Sequence, residues 1–361
     1  MSTSRIVLAA TAILLACVVI SVPVAELAFR LAGVIPADQT AAVFRPFGSG
    51  SYRVRARAMS REDWASGPFW IYSDDLGLRC TADGTPSLRA GDHIDTLVLG
   101  DSQAFGLGLD YERTVVGVMA GLAAQEGRIV ANAAVGGHFL RNQLEVARML
   151  HDEQHLTFDR VAILLSSDRV ATPEGYSTAR VSEDGRLFGA DPDAAARARL
   201  WIRTNLAIWG VVRGAYHNKI ARHERSEEAP LEQYRRSNAP RFEEAWRREL
   251  RAGAEWAKSA GTRLIVVQLS DAYDFEVDAA ARAHGAAWSD IDSDTPAAVW
   301  RKVCGELGIP LIEVRPALEP LKAQGKLLHL GSDFHYNADT SAVAGRFIWQ
   351  ALSADEPRSG K

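Results

Sequence analysis

Leu97-Val98-Leu99-Gly100-Asp101-Ser102 is the stretch that decides how this 361-residue chain is read. A short, continuously apolar run is a strand buried on both faces, and a glycine, a carboxylate and a hydroxyl end it abruptly. Thr96–Leu99 is therefore a strand, and Ser102 stands just past its carboxyl end. Towards the C-terminus the same alternation continues. Val115–Gln125 reads as a helix, Arg128–Asn132 as a strand, Leu140–Asp152 as a helix and Arg160–Leu165 as a strand. Arg241–Gly261 and Thr295–Leu307 are helices, Arg263–Leu269 and Pro310–Val314 strands, and Asn337–Ala354 a closing helix. Apolar strands alternating with helices predict an α/β fold with a parallel sheet covered on both faces. Such sheets bind ligands beyond the carboxyl ends of their strands, where Ser102 lies.

Composition narrows the function. Hydrophobic residues are 47% and charged residues 24% of the chain, an ordinary globular mix that excludes a disordered chain, a collagen or a disulfide-dense miniprotein. With 45 acidic against 41 basic residues the net charge is −4, which argues against a nucleic-acid binder. Three cysteines, Cys17, Cys80 and Cys304, allow at most one bridge, and Cys80–Cys304 is the pair open to it if the body is exported.

Ile6 to Ala25 carries no charge over 20 residues, about 30 Å of helix and enough to cross a bilayer core. The preferred reading is a signal anchor with a short cytoplasmic tail, although Arg45, Arg53, Arg55 and Arg57 on the far side oppose the positive-inside bias. A cleaved signal peptide and a lipoprotein box at Leu14-Leu15-Ala16-Cys17 are the other readings of the same run. Residues 1–30 are thus assigned to a transmembrane anchor and 31–93, rich in Pro, Gly and Arg, to an irregular stalk and lead-in. The main domain spans 94–354, with a helical insert at 170–240 and a disordered tail at 355–361.

A serine at a strand's carboxyl end can present its hydroxyl above the sheet beside unpaired backbone N–H groups, which suits a nucleophile and part of an oxyanion hole. A phosphate-binding turn fits less well: Gly106-Leu107-Gly108 starts a dinucleotide fingerprint, but Tyr111 takes the third glycine's place. The base is sought in Asp333-Phe334-His335, between the last strand and the last helix. Residues two apart in an extended segment point to one side, so the carboxylate reaches one imidazole nitrogen and leaves the other for Ser102.

Gly100-Asp101-Ser102 together with Asp333-Phe334-His335-Tyr336-Asn337 resembles the GDSL/SGNH hydrolase superfamily, over roughly residues 94–352. The resemblance implies a three-layer α/β/α, flavodoxin-like parallel sheet and an acyl-enzyme mechanism that needs no cofactor and no metal. Asn132-Ala133-Ala134-Val135-Gly136-Gly137 is similar to the family's second block and implies that Gly137, or alternatively Gly136, donates a backbone N–H to the oxyanion. Tyr72-Ser73-Asp74-Asp75-Leu76-Gly77-Leu78-Arg79 resembles the lead-in of membrane-anchored members. Two departures stand out. The third block ends Ser166-Ser167-Asp168, so Ser167 takes the place of an oxyanion asparagine. The orienting acid falls two residues before His335, at Asp333, where many members have three.

Remaining signals are weaker. His138 is a candidate pocket residue for substrate binding, and Asp101 and Asp168 are braces for their turns. His151 and His155 lack the glutamate of a metal-binding helix. Trp201, Trp209 and Tyr216 pack the insert or meet another surface. Together these features read as a membrane-anchored serine esterase on acyl, foremost acetyl, esters, held at the outer face of a bacterial inner membrane. An O-acyltransferase that modifies a cell-surface polysaccharide, served by a membrane acyl-donor protein, and a non-catalytic glycan- or partner-binding domain are the alternatives.

Overall fold

The structure is a computed structural model. It describes residues 17, 20–32, 43–47, 51–64, 67–175, 180–181, 187–188, 201–202, 206, 208, 232–271, 273–278, 289–330 and 334–354. The chain divides into two compact units, one of 1–39 with 191–224, the other of 40–190 with 225–361.

In the second unit the strands are β1 (Phe44–Phe47), β2 (Ser51–Val54), β3 (Met59–Trp64), β4 (Gly67–Ser73), β5 (Arg79–Cys80), β6 (His93–Gly100), β7 (Val130–Asn132), β8 (Thr157–Ser166), β9 (Arg180–Val181), β10 (Leu187–Phe188), β11 (Arg263–Leu269) and β12 (Leu311–Glu313). Eight of them form one sheet in the order β12-β11-β8-β6-β7-β5-β4-β3. The first five are mutually parallel. Numbered along the chain, those five run 2-1-3-4-5, the flavodoxin-like order. The chain leaves β6 for β7 on one side and returns to β8 on the other, so the crevice at the carboxyl ends of β6 and β8 is the topological switch point.

Alternating side chains give the sheet two cores. Leu97, Leu99, Val161, Ile163, Leu264 and Val266 face one layer, where the helices Leu140–Asp152, Ala239–Ser259 and Thr295–Leu307 contribute Leu144, Trp246 and Trp300. Val98, Ala162, Leu164, Ile265 and Val267 face the other, covered by Val115–Gln125, Arg315–Ala323 and Ala338–Ala354 through Met119, Leu318 and Ile348. Two of the helices, Val115–Gln125 and Ala338–Ala354, begin where a side chain satisfies an early amide. Thr114 Oγ1 accepts from Gly117 N at 2.9 Å, and Asn337 Oδ1 accepts from Thr340 N at 2.9 Å.

The lead-in differs from expectation. Residues 31–93 are not an irregular stalk: they hold five strands, of which β3, β4 and β5 extend the sheet antiparallel beyond β7. Of the basic stretch, Arg53 is drawn inside while Arg55 and Arg57 stay exposed. Arg53 is buried, gives a hydrogen bond to the Leu76 carbonyl and points Nη1 at Met149 Sδ at 2.8 Å; burial pulls its pKa down to about 10. Cys80 and Cys304 are both free and buried, and burial pushes each thiol up to about 12. They are not joined as the exported reading allowed.

In the first unit, residues 20–31 are helical, Arg30 Nε pairs with Glu26 at 2.7 Å, and Glu26 also accepts from Ile208 N at 3.0 Å. Most of the apolar run Ile6–Ala25 lies outside the described residues, as do Trp209, Tyr216, most of the insert and the tail from 355. Among the described residues no helix is long and apolar enough to cross a membrane, and no His/Cys/Asp/Glu cluster could hold a metal ion.

Candidate active site

β6 stops at Gly100 because nothing larger fits there. A Cβ on it would sit 2.3 Å from Ala104 Cβ and 3.0 Å from the Leu164 carbonyl oxygen. Asp101 is still extended (φ −98°, ψ −152°) and caps the short helix Ser102–Phe105, its Oδ1 accepting from Gln103 N at 3.0 Å. Ser102 is the first residue of that helix, so its amide has no acceptor within the helix. The next turn of chain is fastened from below. Arg79, wholly buried, donates to the carbonyls of Phe105, Gly106 (2.9 Å) and Leu109 (2.5 Å) and lies over the Phe105 ring at 4.5 Å. Burial lowers its pKa to about 10.

His335 reaches this helix from the far end of the chain. Its Nε2 lies 2.8 Å from Ser102 Oγ. The segment that carries it is held on both sides. Leu330 N donates to the His335 carbonyl at 2.8 Å. From the other side the Gln103 side chain donates from Nε2 to the Phe334 carbonyl and accepts on Oε1 from Tyr336 N, both at 3.0 Å. The Phe334 ring, 53% exposed, stacks on the imidazole at 4.9 Å. Asp333 lies outside the described residues.

The loop after β7 comes up beside the serine. Val135 N bonds the Gly100 carbonyl at 3.1 Å, and Asn132 ties its own loop to the Ser102 helix, Nδ2 donating to the Ala104 carbonyl at 3.2 Å. Val135–His138 is a turn closed by His138 N on the Val135 carbonyl at 3.2 Å, with Gly137 at φ +79°, where glycine is favoured. A Cβ on Gly136 would face Ser102 Cβ at 3.8 Å; one on Gly137 would strike Tyr52 Oη at 2.6 Å. Tyr52, from β2, donates to the Gly136 carbonyl at 2.6 Å. Gly136 is therefore beside Ser102, and Tyr52 fixes the turn that it shares with Gly137.

Two expectations are corrected here. His138 does not line a pocket. It is fully buried behind the turn, its Nε2 2.7 Å from the Tyr52 carbonyl oxygen, and burial pulls its pKa down to about 4, so it is a neutral core residue. Ser167 does not present its hydroxyl to the serine. It is fully buried, donates to Asp274 Oδ2 at 2.7 Å and accepts from Gln268 Nε2 at 3.1 Å. Asp274 also accepts from Tyr234 Oη at 2.9 Å, and burial raises its carboxyl to about 6. The backbone turns into a 3-10 helix, Ser167–Ala171, at this residue, which sends the side chain towards β11. Asp101 and Asp168 are braces. Arg169 Nε donates to Asp101 Oδ2 at 2.6 Å, and Ser166 Oγ donates to Asp168 Oδ1 at 2.7 Å. Burial first, and then the charge of Asp101, raise the Asp168 carboxyl against the pull of Arg169.

Sequence reading passes over Gln103 and Tyr52. Neither residue type carries a chemical signature, and their partners are 231 and 84 positions away. Only the contiguity of Gln103 with Ser102 could have drawn notice.

No family model matches the chain, and no curated protein matches it. Among solved structures it is similar to TesA, at 17% identity over 72% of this chain and 98% of that one, with a TM-score of 0.39. The psychrotrophic esterase EstA from Pseudoalteromonas sp. is 10% identical over 73% and 97%, with a TM-score of 0.40. The acetylxylan esterase Axe2 from Geobacillus stearothermophilus, as a catalytic mutant, is 14% identical over 76% and 99%, with a TM-score of 0.39.

Proposed function

We propose that this chain is a serine ester hydrolase that cleaves acyl esters through an acyl-enzyme. The observation that carries the reading is the 2.8 Å contact between Ser102 Oγ and His335 Nε2 at the sheet's switch point. Ser102 Oγ attacks the ester carbonyl while His335 Nε2 takes its proton. The carbonyl oxygen becomes an oxyanion between the amides of Ser102 and Gly137. Collapse expels the alcohol, which takes the proton back from His335, and the acyl group stays on Ser102. Water, activated by the same imidazole, then releases the acid and restores the serine. Asp333 is assigned the role of orienting acid from its place two residues before His335.

With Ser167 engaged by Asp274, the oxyanion hole has two backbone donors and no third from β8. A missing donor costs about 3 kcal/mol, roughly 10²–10³ in rate, small against the 10⁶-fold or more by which enzymes accelerate reactions. The substrate class we propose is acyl, foremost acetyl, esters; the apolar run Ile6–Ala25 supports an anchored, extracytoplasmic position for the domain. Hydrolysis of p-nitrophenyl acetate tests the reading. The full chain should turn it over and Ser102→Ala should not; equal turnover by both contradicts it. An oligosaccharide that captures the acyl group faster than water does would make the enzyme a transferase with the same serine.

A further inference from the structure

Gln103 stands next to the proposed nucleophile yet spends its side chain entirely on the segment that carries the proposed base. In an extended segment the carbonyl of one residue and the amide of the residue two further on point to the same side. For His335 those groups are Phe334 O and Tyr336 N, and the Gln103 amide meets both, Nε2 on the carbonyl and Oε1 under the N–H, each at 3.0 Å. The primary amide takes the place of a peptide group in a neighbouring strand. On the opposite side the His335 carbonyl accepts from Leu330 N at 2.8 Å, so the histidine is pinned between two partners. Gln103 is 6% exposed and its backbone N is bonded to Asp101, so its own position is fixed by the helix that presents Ser102. One side chain thus joins the two halves of the Ser102–His335 pair across 231 positions of sequence.

We propose that Gln103 is a positioning residue that sets the distance and angle between His335 Nε2 and Ser102 Oγ. This rests on the serine-hydrolase reading above. The role demands a group that donates and accepts at once. An ionised carboxylate keeps the acceptor for Tyr336 N and turns a lone pair on the Phe334 carbonyl; a protonated carboxyl restores both bonds. A purely space-filling role has no such requirement.

The test compares the full chain with Ser102→Ala, Gln103→Ala, Gln103→Met and Gln103→Glu, by p-nitrophenyl acetate kinetics from pH 5 to 8 beside thermal melts. Gln103→Ala and Gln103→Met should lower kcat about 10- to 100-fold with KM within about twofold, the cost of a misplaced base. The activity of Gln103→Glu relative to wild type should rise several-fold as pH falls, when its carboxyl takes up a proton. Folded Gln103→Ala with kcat within twofold of wild type, or a Gln103→Glu ratio that is flat with pH, overturns the proposal. Loss of fold in all three Gln103 variants also overturns it, because the role would then not be confined to the histidine segment. Ser102→Ala as active as wild type overturns the serine reading itself; Ser102→Ala inactive with Gln103→Ala unimpaired overturns the role of Gln103 alone.

Discussion

Replacing Ser167 by alanine separates two roles that the sequence alone leaves tangled. As an oxyanion donor, Ser167 would act on rate; as a buried partner of Asp274, it acts on stability. Its hydroxyl gives a proton to Asp274 Oδ2 at 2.7 Å and receives one from Gln268 Nε2 at 3.1 Å, with no exposed surface. In the variant Asp274 keeps Tyr234 Oη and Asp271 N, both at 2.9 Å, while the buried Gln268 amide loses its acceptor. That is one buried group orphaned and one weakened, about 1–3 kcal/mol and on the order of 5 °C in Tm. Activity should stay within about threefold, because no group that touches the ester has moved, whereas loss of an oxyanion donor costs roughly 10²–10³ in kcat. Thermal melts and p-nitrophenyl acetate kinetics on one preparation read both quantities. A hundredfold fall in kcat at unchanged Tm would refute the reasoning and return Ser167 to the oxyanion hole.

Gly137→Ala places a methyl group 2.6 Å from Tyr52 Oη at φ +79°, so the turn must shift; kcat should fall at least tenfold with KM less affected, and an unchanged kcat would detach this turn from the site. Phe334→Ala removes an exposed ring stacked on the imidazole at 4.9 Å, and should raise KM for aryl and long acyl esters several-fold with little change in kcat; equal KM values would leave the ring without a substrate role. Burial raises Asp274 and Asp74 to about 6, so the folded chain holds these protons more tightly than the unfolded chain, and the stability they add below about pH 4 is lost as pH rises through about 6. His138, pushed down to about 4, works the other way, and its contribution is lost as pH falls from about 6.5. Asp274→Asn removes one of the opposing slopes, so its Tm should climb more steeply with pH between about 4 and 6 than that of the wild type; parallel curves would contradict the burial of an ionisable Asp274.

The parts of this fold that sequence makes legible are those whose cause is local. Val115–Gln125, Leu140–Asp152 and Thr295–Leu307 have the bounds read from pattern, because caps and apolar spacing fix a helix within its own residues. The end of β6 is legible for the same reason: Gly100, Asp101 and Ser102 each do something a strand interior forbids. β1 to β5 are not. Their residues are short and mixed in polarity, and they become strands through partners far along the chain, as Arg79 does opposite Asn132. Arg53 and Arg79 read as a basic stretch and a lead-in, yet both are buried by carbonyl oxygens that sequence does not place. At the site, the meeting of Ser102 with His335 could be anticipated from topology, since Ser102 follows a strand of the sheet and His335 lies between the last strand of that sheet and the closing helix. The direction of the Ser167 hydroxyl could not, because it depends on one turn of 3-10 helix after β8.

The pairing of Ser102 with His335 is most directly tested by treating the full chain with a fluorophosphonate and locating the adduct by peptide mass spectrometry. The phosphonyl group should sit on Ser102 alone, and His335→Ala should slow its attachment by several orders of magnitude, because an alcohol without its base is a poor nucleophile. An adduct on another residue, or equal labelling of His335→Ala and wild type, would show that the 2.8 Å contact does no chemistry.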